Sequence, residues 1–193
     1  MKRPQVLLLS SILAVIGLHT SAANAEIIHG PVINPANGHM YYLLSQQNWT
    51  DSENEAVSLG GHLATVSNQA ENDWILQAFS QYGGQTRDLW LGLNDQAVEG
   101  DWVWVSGETS TYRHWAPGEP NDWNGEDCGH ISVSRSGEWN DLPCTYESGM
   151  AGVVEVIWMP ELIKVHRERF GRRILYPSTE RMRGSFYYSS ARP

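Results

Sequence analysis

The stretch Glu119-Pro120-Asn121-Asp122-Trp123-Asn124-Gly125-Glu126-Asp127-Cys128 decides how this chain is read. Four carboxylates and two side-chain amides crowd into it, with no lysine or arginine between Glu119 and Asp127. It closes a run, 107–127, that is rich in Gly, Pro, Asn and acids and shows little periodicity. A loop of that length is uncommon without a task. Asn94-Asp95 and Glu99 precede it, and Trp139-Asn140-Asp141 follow. If the loop folds back on its flanks, Asp95, Glu99, Glu119, Asp122, Glu126, Asp127 and Asp141 gather in one place. Unpaired carboxylates held together repel, and some must take up protons. A hard divalent cation relieves this, because Ca²⁺ accepts about six to eight oxygen ligands from Asp, Glu, Asn and backbone carbonyls. Amides beside carboxylates suit Ca²⁺ better than Zn²⁺, which prefers His and Cys. An acidic loop left to solvent is the competing reading, and composition alone does not choose between them.

Working outward, the segments on either side differ in character. His39 to Leu44 reads as a strand. Thr50 with Glu53 resembles a capping box opening a helix that runs to about Leu59 and stops at Gly60-Gly61. A second helix opens at Asn68 with Glu71. Trp74, Ile75, Ala78, Phe79 and Tyr82 form its apolar face, and Gly83-Gly84 end it. After residue 84 the pattern turns to strands: Leu89–Leu93, Asp101–Ser106, Cys128–Ser134 with a turn at Ser136-Gly137, and Ala151–Ile157. Helices first and strands afterwards is an α+β arrangement. Trp49, Trp90, Trp102, Trp104 and Trp115 are expected in the core, where such rings supply much of a small domain's stability. His62 is expected to be a buried structural histidine.

The ends read differently. Lys2-Arg3, the apolar run Val6–Leu18 and Ala23-Asn24-Ala25 have the form of a signal peptide, 1–25, and the run is short of a bilayer span. Residues 26–37, with Gly30, Pro31 and Pro35, and Gly38 just after, read as an irregular lead-in. A folded domain is expected over 38–157. The mature protein is then exported (secreted, periplasmic or extracellular) with no transmembrane segment. A periplasmic location would imply a bacterial source. Export places Cys128 and Cys144 in an oxidising compartment, where a single bridge is the default. Between residues 26 and 156 nineteen acids face three bases, Arg87, Arg113 and Arg135. From 157 onward eight bases face three acids. The acidic part argues against nucleic acid as a partner. The basic tail, 158–193, is expected to be disordered. There is no Gly-x-Ser-x-Gly, no phosphate loop and no His-Glu-x-x-His, so no enzyme is expected.

From His39 to Val156 the chain resembles the C-type lectin family at successive landmarks. Trp49, Gly60-Gly61-His62-Leu63-Ala64 and Glu71 are similar to its helical half. Leu89-Trp90-Leu91-Gly92-Leu93 is similar to its Trp-Ile-Gly-Leu strand. Trp104 with Ser106-Gly107, Tyr112 and Trp115 matches the approach to its long loop. Glu119-Pro120-Asn121 resembles its sugar-specificity tripeptide, and Trp139-Asn140-Asp141 the strand motif that completes the site. The resemblance implies two helices packed on small antiparallel sheets, with a long Ca²⁺-binding loop. It implies that Glu119, Asn121, Glu126, Asn140 and Asp141 hold a principal, sugar-binding Ca²⁺. Asp95, Glu99, Asp122 and Asp127, with Glu126 shared, would form an auxiliary Ca²⁺ site. It also implies a cis Glu119–Pro120 bond and an inner disulfide, Cys128–Cys144.

The family's outer disulfide would fall at Ala56 and Val154, both apolar here. Trp123 either stacks on a sugar or packs locally. The function implied is a Ca²⁺-dependent lectin for mannose, glucose, N-acetylglucosamine or fucose, in the Glu-Pro-Asn, mannose-type subgroup. The alternative is a module of the same fold that binds protein or a surface without sugar.

Overall fold

A computed structural model describes residues 26–157. The expected leader and basic tail lie outside the described residues. The elements in chain order are β1 (Ile27–Ile33), β2 (Met40–Gln46), α1 (Trp49–Ser58), β3 (His62–Leu63), α2 (Gln69–Phe79), β4 (Asp88–Asn94), β5 (Val103–Trp104), β6 (Cys128–Ile131), β7 (Trp139–Leu142) and β8 (Met150–Val156). They form the α+β, C-type lectin-like fold that was expected.

Several details differ from expectation. The strands make one eight-stranded mixed sheet of order β1-β2-β8-β4-β6-β7, with β3 against β8 and β5 against β4. The β4–β8 pair is parallel, so the sheet is not a set of small antiparallel ones. Much of the supposed lead-in is a strand. β1 pairs antiparallel with β2 through two register shifts, one before His29 and one spanning Gly30-Pro31, and this irregularity hides the strand in the sequence. The first helix is capped by Asn48, whose side chain accepts from the Asp51 amide at 2.8 Å. Glu53 is therefore free of a capping box and turns to β3, as described below. The second helix opens as expected, with Asn68 accepting from the Glu71 amide at 3.0 Å, but it ends at Phe79 instead of Gly83-Gly84, and Tyr82, expected on its apolar face, lies exposed in a short 3₁₀ turn beyond it.

The core lies between the helices and the sheet. Tyr41, Leu43, Ile75, Phe79, Leu89, Leu91, Leu93, Ile131, Trp139 and Val153 are all buried. The buried indoles each find an acceptor, as they must away from water. Trp49 donates to the Leu91 carbonyl at 2.6 Å, Trp90 to the Gln47 carbonyl at 3.1 Å and Trp139 to Asn72 at 2.7 Å. Trp104 is also buried, while Trp102 and Trp115 are half-buried and stack edge-to-face at 4.7 Å. Gly92 is required by close approach, because a Cβ there would come within 2.4 Å of the Leu63 carbonyl. Ala56 and Val154 are fully buried and apolar. Cys128 and Cys144 are bridged, as expected. His62 departs from expectation: its side chain is 42% exposed and it pairs with Glu53 at 2.6 Å.

Candidate functional site

Three strands, β4, β6 and β7, and the loop between β5 and β6 carry the acidic residues of the candidate site. Asp95 follows the last residue of β4, and Asp127 immediately precedes β6. Their backbones are joined by a 3.1 Å bond from the Asp95 amide to the Asp127 carbonyl. Asn140 and Asp141 come from within β7, where Asp141 lies opposite Gly129. The loop 116–127 closes over them.

In that loop the Glu119–Pro120 bond is cis, and Asp122 and Asn124 have positive φ, 49° and 63°. Asp and Asn tolerate that region better than most residues. The turn so formed is held by its own acids: the Glu126 amide donates to Asp122 at 2.9 Å, and the Trp123 amide to Glu126 at 3.3 Å.

Asp141 is the anchor. It is fully buried, and its Oδ2 accepts from the amides of Asn121 (3.0 Å) and Asp122 (2.9 Å). Its Oδ1 is buried and has no hydrogen-bond partner. Asp95 repeats this pattern. Its Oδ2 accepts from the Gly100 amide at 2.8 Å, and its Oδ1 is buried without a partner. Leaving a buried charged oxygen unpaired costs free energy, so both atoms are places where a cation would be welcome.

The electrostatics agree. Burial raises the carboxyl pKa values of Asp95, Glu126 and Asp141 above the ordinary range. Neighbouring acids add to this: Asp127 and Asp122 act on Asp95, Asp141 and Glu119 act on Glu126, and Glu119 acts on Asp141. Glu99, exposed at the rim, is raised by loss of hydration and then by Asp95, Asp122 and Asp127.

Among the described residues, Asp95, Glu99 and Asp127 bring ligand oxygens within 4.8 Å of one another, close enough to share one metal ion. Asp122 of the expected auxiliary set is not in that group, and its Oδ1 is occupied by the Glu126 amide. The carboxylates of the principal set do not converge as closely, since Glu119, Glu126 and Asp141 form no such group. Glu119 and Asn121 nevertheless face each other, the Asn121 amide donating to Glu119 Oε2. The Asn140 side-chain amide donates to the Asp141 carbonyl at 2.5 Å. The donors present, carboxylate and amide oxygens, fit Ca²⁺ rather than a softer metal. Trp123 is 72% exposed and is not packed into the loop.

The sequence reading missed Arg135. It lies on the turn between β6 and β7 and binds Glu119 Oε1 at 2.9 Å. The signal was its rarity among acids. Of the three bases in 26–156, Arg87 and Arg113 spend their donors mainly on nearby carbonyls, which leaves Arg135 for a carboxylate.

Residues 45–151 match the family described as Lectin C-type domain. The chain belongs to the C-type lectin family. This is a family of carbohydrate-binding proteins, not of enzymes. A perlucin-like protein of Mytilus galloprovincialis is 34% identical over 121 residues, covering 59% of this chain and 78% of the relative. An α-N-acetylgalactosamine-specific lectin of Patiria pectinifera is 34% identical over 117 residues, covering 56% and 70%. The solved C-type carbohydrate-recognition domain of cow CD23, obtained in the presence of a GlcNAc2Man3 oligosaccharide, aligns with a TM-score of 0.54 and 28% identity, covering 63% of this chain and 89% of that one. These C-type lectin relatives are animal proteins, which lends the periplasmic alternative no support. No helix among the described residues is long and apolar enough to cross a membrane.

Proposed function

We propose that this chain is an exported, Ca²⁺-dependent lectin that grips mannose-type sugars at the edge formed by the loop and β7. The observation that carries the reading is the pair of buried carboxylate oxygens, Asp95 Oδ1 and Asp141 Oδ1, left without partners under a rim of acids. Glu119, Asn121, Glu126, Asn140 and Asp141 would hold the principal ion. Asp95, Glu99 and Asp127, with Asp122 and Glu126 contributing, would hold the auxiliary one. Bound Ca²⁺ would supply open coordination positions for two neighbouring sugar hydroxyls.

The chain's own residues then order those hydroxyls. Glu119 and Glu126 accept hydrogen bonds, while Asn121 and Asn140 donate them. Asp141 fixes the loop by taking the Asn121 and Asp122 amides. Arg135 holds Glu119 Oε1 and leaves Oε2 on the Asn121 side. Trp123, exposed beside this array, is free to meet the apolar face of a ring.

The resemblance of Glu119-Pro120-Asn121 to the mannose-type tripeptide favours mannose, glucose, N-acetylglucosamine or fucose over galactose. The test is competition of glycan binding by methyl α-mannoside and by methyl galactoside, with Ca²⁺ and with EDTA. Binding should need Ca²⁺ and mannoside should compete better. The double substitution Glu119→Gln with Asn121→Asp keeps charge and size but reverses the donor–acceptor order, and should move the preference toward galactose. Binding unchanged by EDTA would overturn the Ca²⁺ reading. Better competition by galactoside would overturn the sugar assignment.

A further inference from the structure

The two helices open alike but continue differently. Asn48 caps α1 and Asn68 caps α2, each side chain accepting from the amide three residues on. Asn68 is followed by Gln69-Ala70, whereas Asn48 is followed by Trp49-Thr50. Asn48-Trp49-Thr50 is the one Asn-x-Ser/Thr triplet in the 193 residues. Capping accounts for Asn48 and leaves Thr50 without a task. The Thr50 side chain is exposed and, among the described residues, makes no hydrogen bond. Trp49 between them is turned into the core, donating to the Leu91 carbonyl at 2.6 Å.

The two polar atoms of the Asn48 side chain have separate duties. Oδ1 makes the cap, accepting from the Asp51 amide at 2.8 Å. Nδ2 faces a rim of exposed acids, donating to Asp51 Oδ2 at 2.9 Å and, over a long 3.4 Å, to Glu147 Oε1. Replacing one hydrogen on Nδ2 by carbon leaves the cap untouched and leaves one N–H for Asp51. Only the long contact to Glu147 is given up, and water serves that exposed oxygen instead. A bulky, hydrated group on Nδ2 therefore unpairs no buried atom. Neither Asp51 nor Glu147 is among the proposed Ca²⁺ ligands.

We infer that Asn48 is an N-glycosylation site. The inference rests on the exported reading above, which takes the chain through a compartment where Asn-x-Ser/Thr is an acceptor. The co-substrate is a lipid diphosphate-linked oligosaccharide. The bond from Asn48 Nδ2 to the anomeric carbon forms as that carbon's bond to the diphosphate oxygen breaks. The lipid diphosphate leaves with the bonding pair and one Nδ2 proton is released, with no oxidation or reduction. The transfer precedes folding, because in the fold Trp49 is buried and the cap locks Asn48 to Asp51, so the triplet can no longer extend into an enzyme's groove.

The experiment is translation of the full chain in a cell-free system with mammalian microsomes. Protease protection reports entry, and electrophoresis before and after peptide N-glycosidase reports the glycan. The protected chain should fall in mass by one glycan on treatment. Release in heavy-oxygen water should place the label at residue 48. Thr50→Ala and Asn48→Asp should each abolish the shift without reducing entry. Neither readout requires the variant to fold. A protected chain without a glycan, or a glycan that survives in either variant, overturns the site and leaves the exported reading intact. A chain that is not protected overturns the exported reading, and the site with it.

Discussion

Two sets of buried carboxylates sit in this domain, and they are treated in opposite ways. In the first set, between the helices and the β2–β8 strands, both oxygens of every carboxylate are met. Glu53 takes His62 at 2.6 Å on one oxygen and the Leu63 amide at 2.8 Å on the other. Glu71 takes Asn37 at 2.9 Å and the Ser67 amide at 2.8 Å. Glu155 takes His39 at 2.6 Å and the Thr65 amide at 3.0 Å. The Tyr41 hydroxyl stands between the last two, 2.9 Å from Glu71 and 2.7 Å from Glu155, and burial with these neighbours pushes its pKa far up. In the second set, at the loop edge, Asp95 and Asp141 each have one oxygen met by backbone amides and one met by nothing. The first set is finished by the protein alone. The second is left incomplete by the protein's own donors, which is why the acids at the edge are the candidate site and the buried glutamates are scaffold.

The sharpest way to test this contrast is to delete one acid from each set. Glu155→Ala strands His39, Tyr41 and the Thr65 amide in the interior, and should cost about 3 kcal/mol in urea unfolding. The loss should be equal in EDTA and in Ca²⁺. At the loop edge, Ca²⁺ at a hundredfold excess over its dissociation constant should stabilise the unmodified protein by about 2.7 kcal/mol, with a melting temperature several degrees above that in EDTA. Asp141→Asn should remove most of that difference and lower Ca²⁺ affinity about a hundredfold, read by calorimetry. It should leave the EDTA melting temperature equal or higher, because an unpaired buried charge is gone. If Asp141→Asn instead destabilises the protein equally with and without Ca²⁺, the two sets are alike and the contrast fails.

Acid tests the loop edge in a second way. The carboxyls of Asp95, Glu126 and Asp141 are raised in the folded protein. The metal-free fold therefore binds protons more tightly than the unfolded chain. Its stability should grow as pH falls from the raised values toward the ordinary carboxylate pKa of about 4. In excess Ca²⁺ the slope in the same window should reverse, because ions bind only ionised ligands. Melting curves over that window, with Ca²⁺ and with EDTA, should converge on the acid side. Parallel curves would show that no cation is held by these groups. The smallest expected effect is at Trp123: Trp123→Ala should change stability by less than about 0.5 kcal/mol in either buffer, since the ring is exposed. A larger loss would mean that the ring is part of the loop's packing.

Much of the scaffold was legible because local rules and tertiary contacts agree there. Asn68 with Glu71, and the apolar positions Ile75 and Phe79, place α2 without help from the rest of the chain. Leu89–Leu93 and Ala151–Ile157 are apolar enough to demand the centre of a sheet, and they lie there side by side. β1 was not legible, because Gly30-Pro31 breaks its alternation and only pairing with β2 makes it a strand. The cap at Asn48 was not read from the sequence, where Thr50 with Glu53 has the capping-box spacing; in the fold Asn48 caps the helix and Glu53 goes to His62 and Leu63.

For the site, the residue types were legible and their states were not. The sequence by itself determined which residues could meet around the one long loop, seven carboxylates and several amides on it and on the segments that flank it. It also determined the Cys128–Cys144 pair, with no other cysteine to compete. Only the tertiary structure decided which of those acids share a metal-sized space, namely Asp95, Glu99 and Asp127. It also decided that Asp122 turns inward to the Glu126 amide and that Arg135 reaches Glu119. The physical reason is range. Helix caps, alternation and turn residues act over a few positions and are written in order along the chain. The charge state and free valence of a carboxylate depend on which donors arrive from distant segments, and here those donors come from residues 100, 121, 122 and 135.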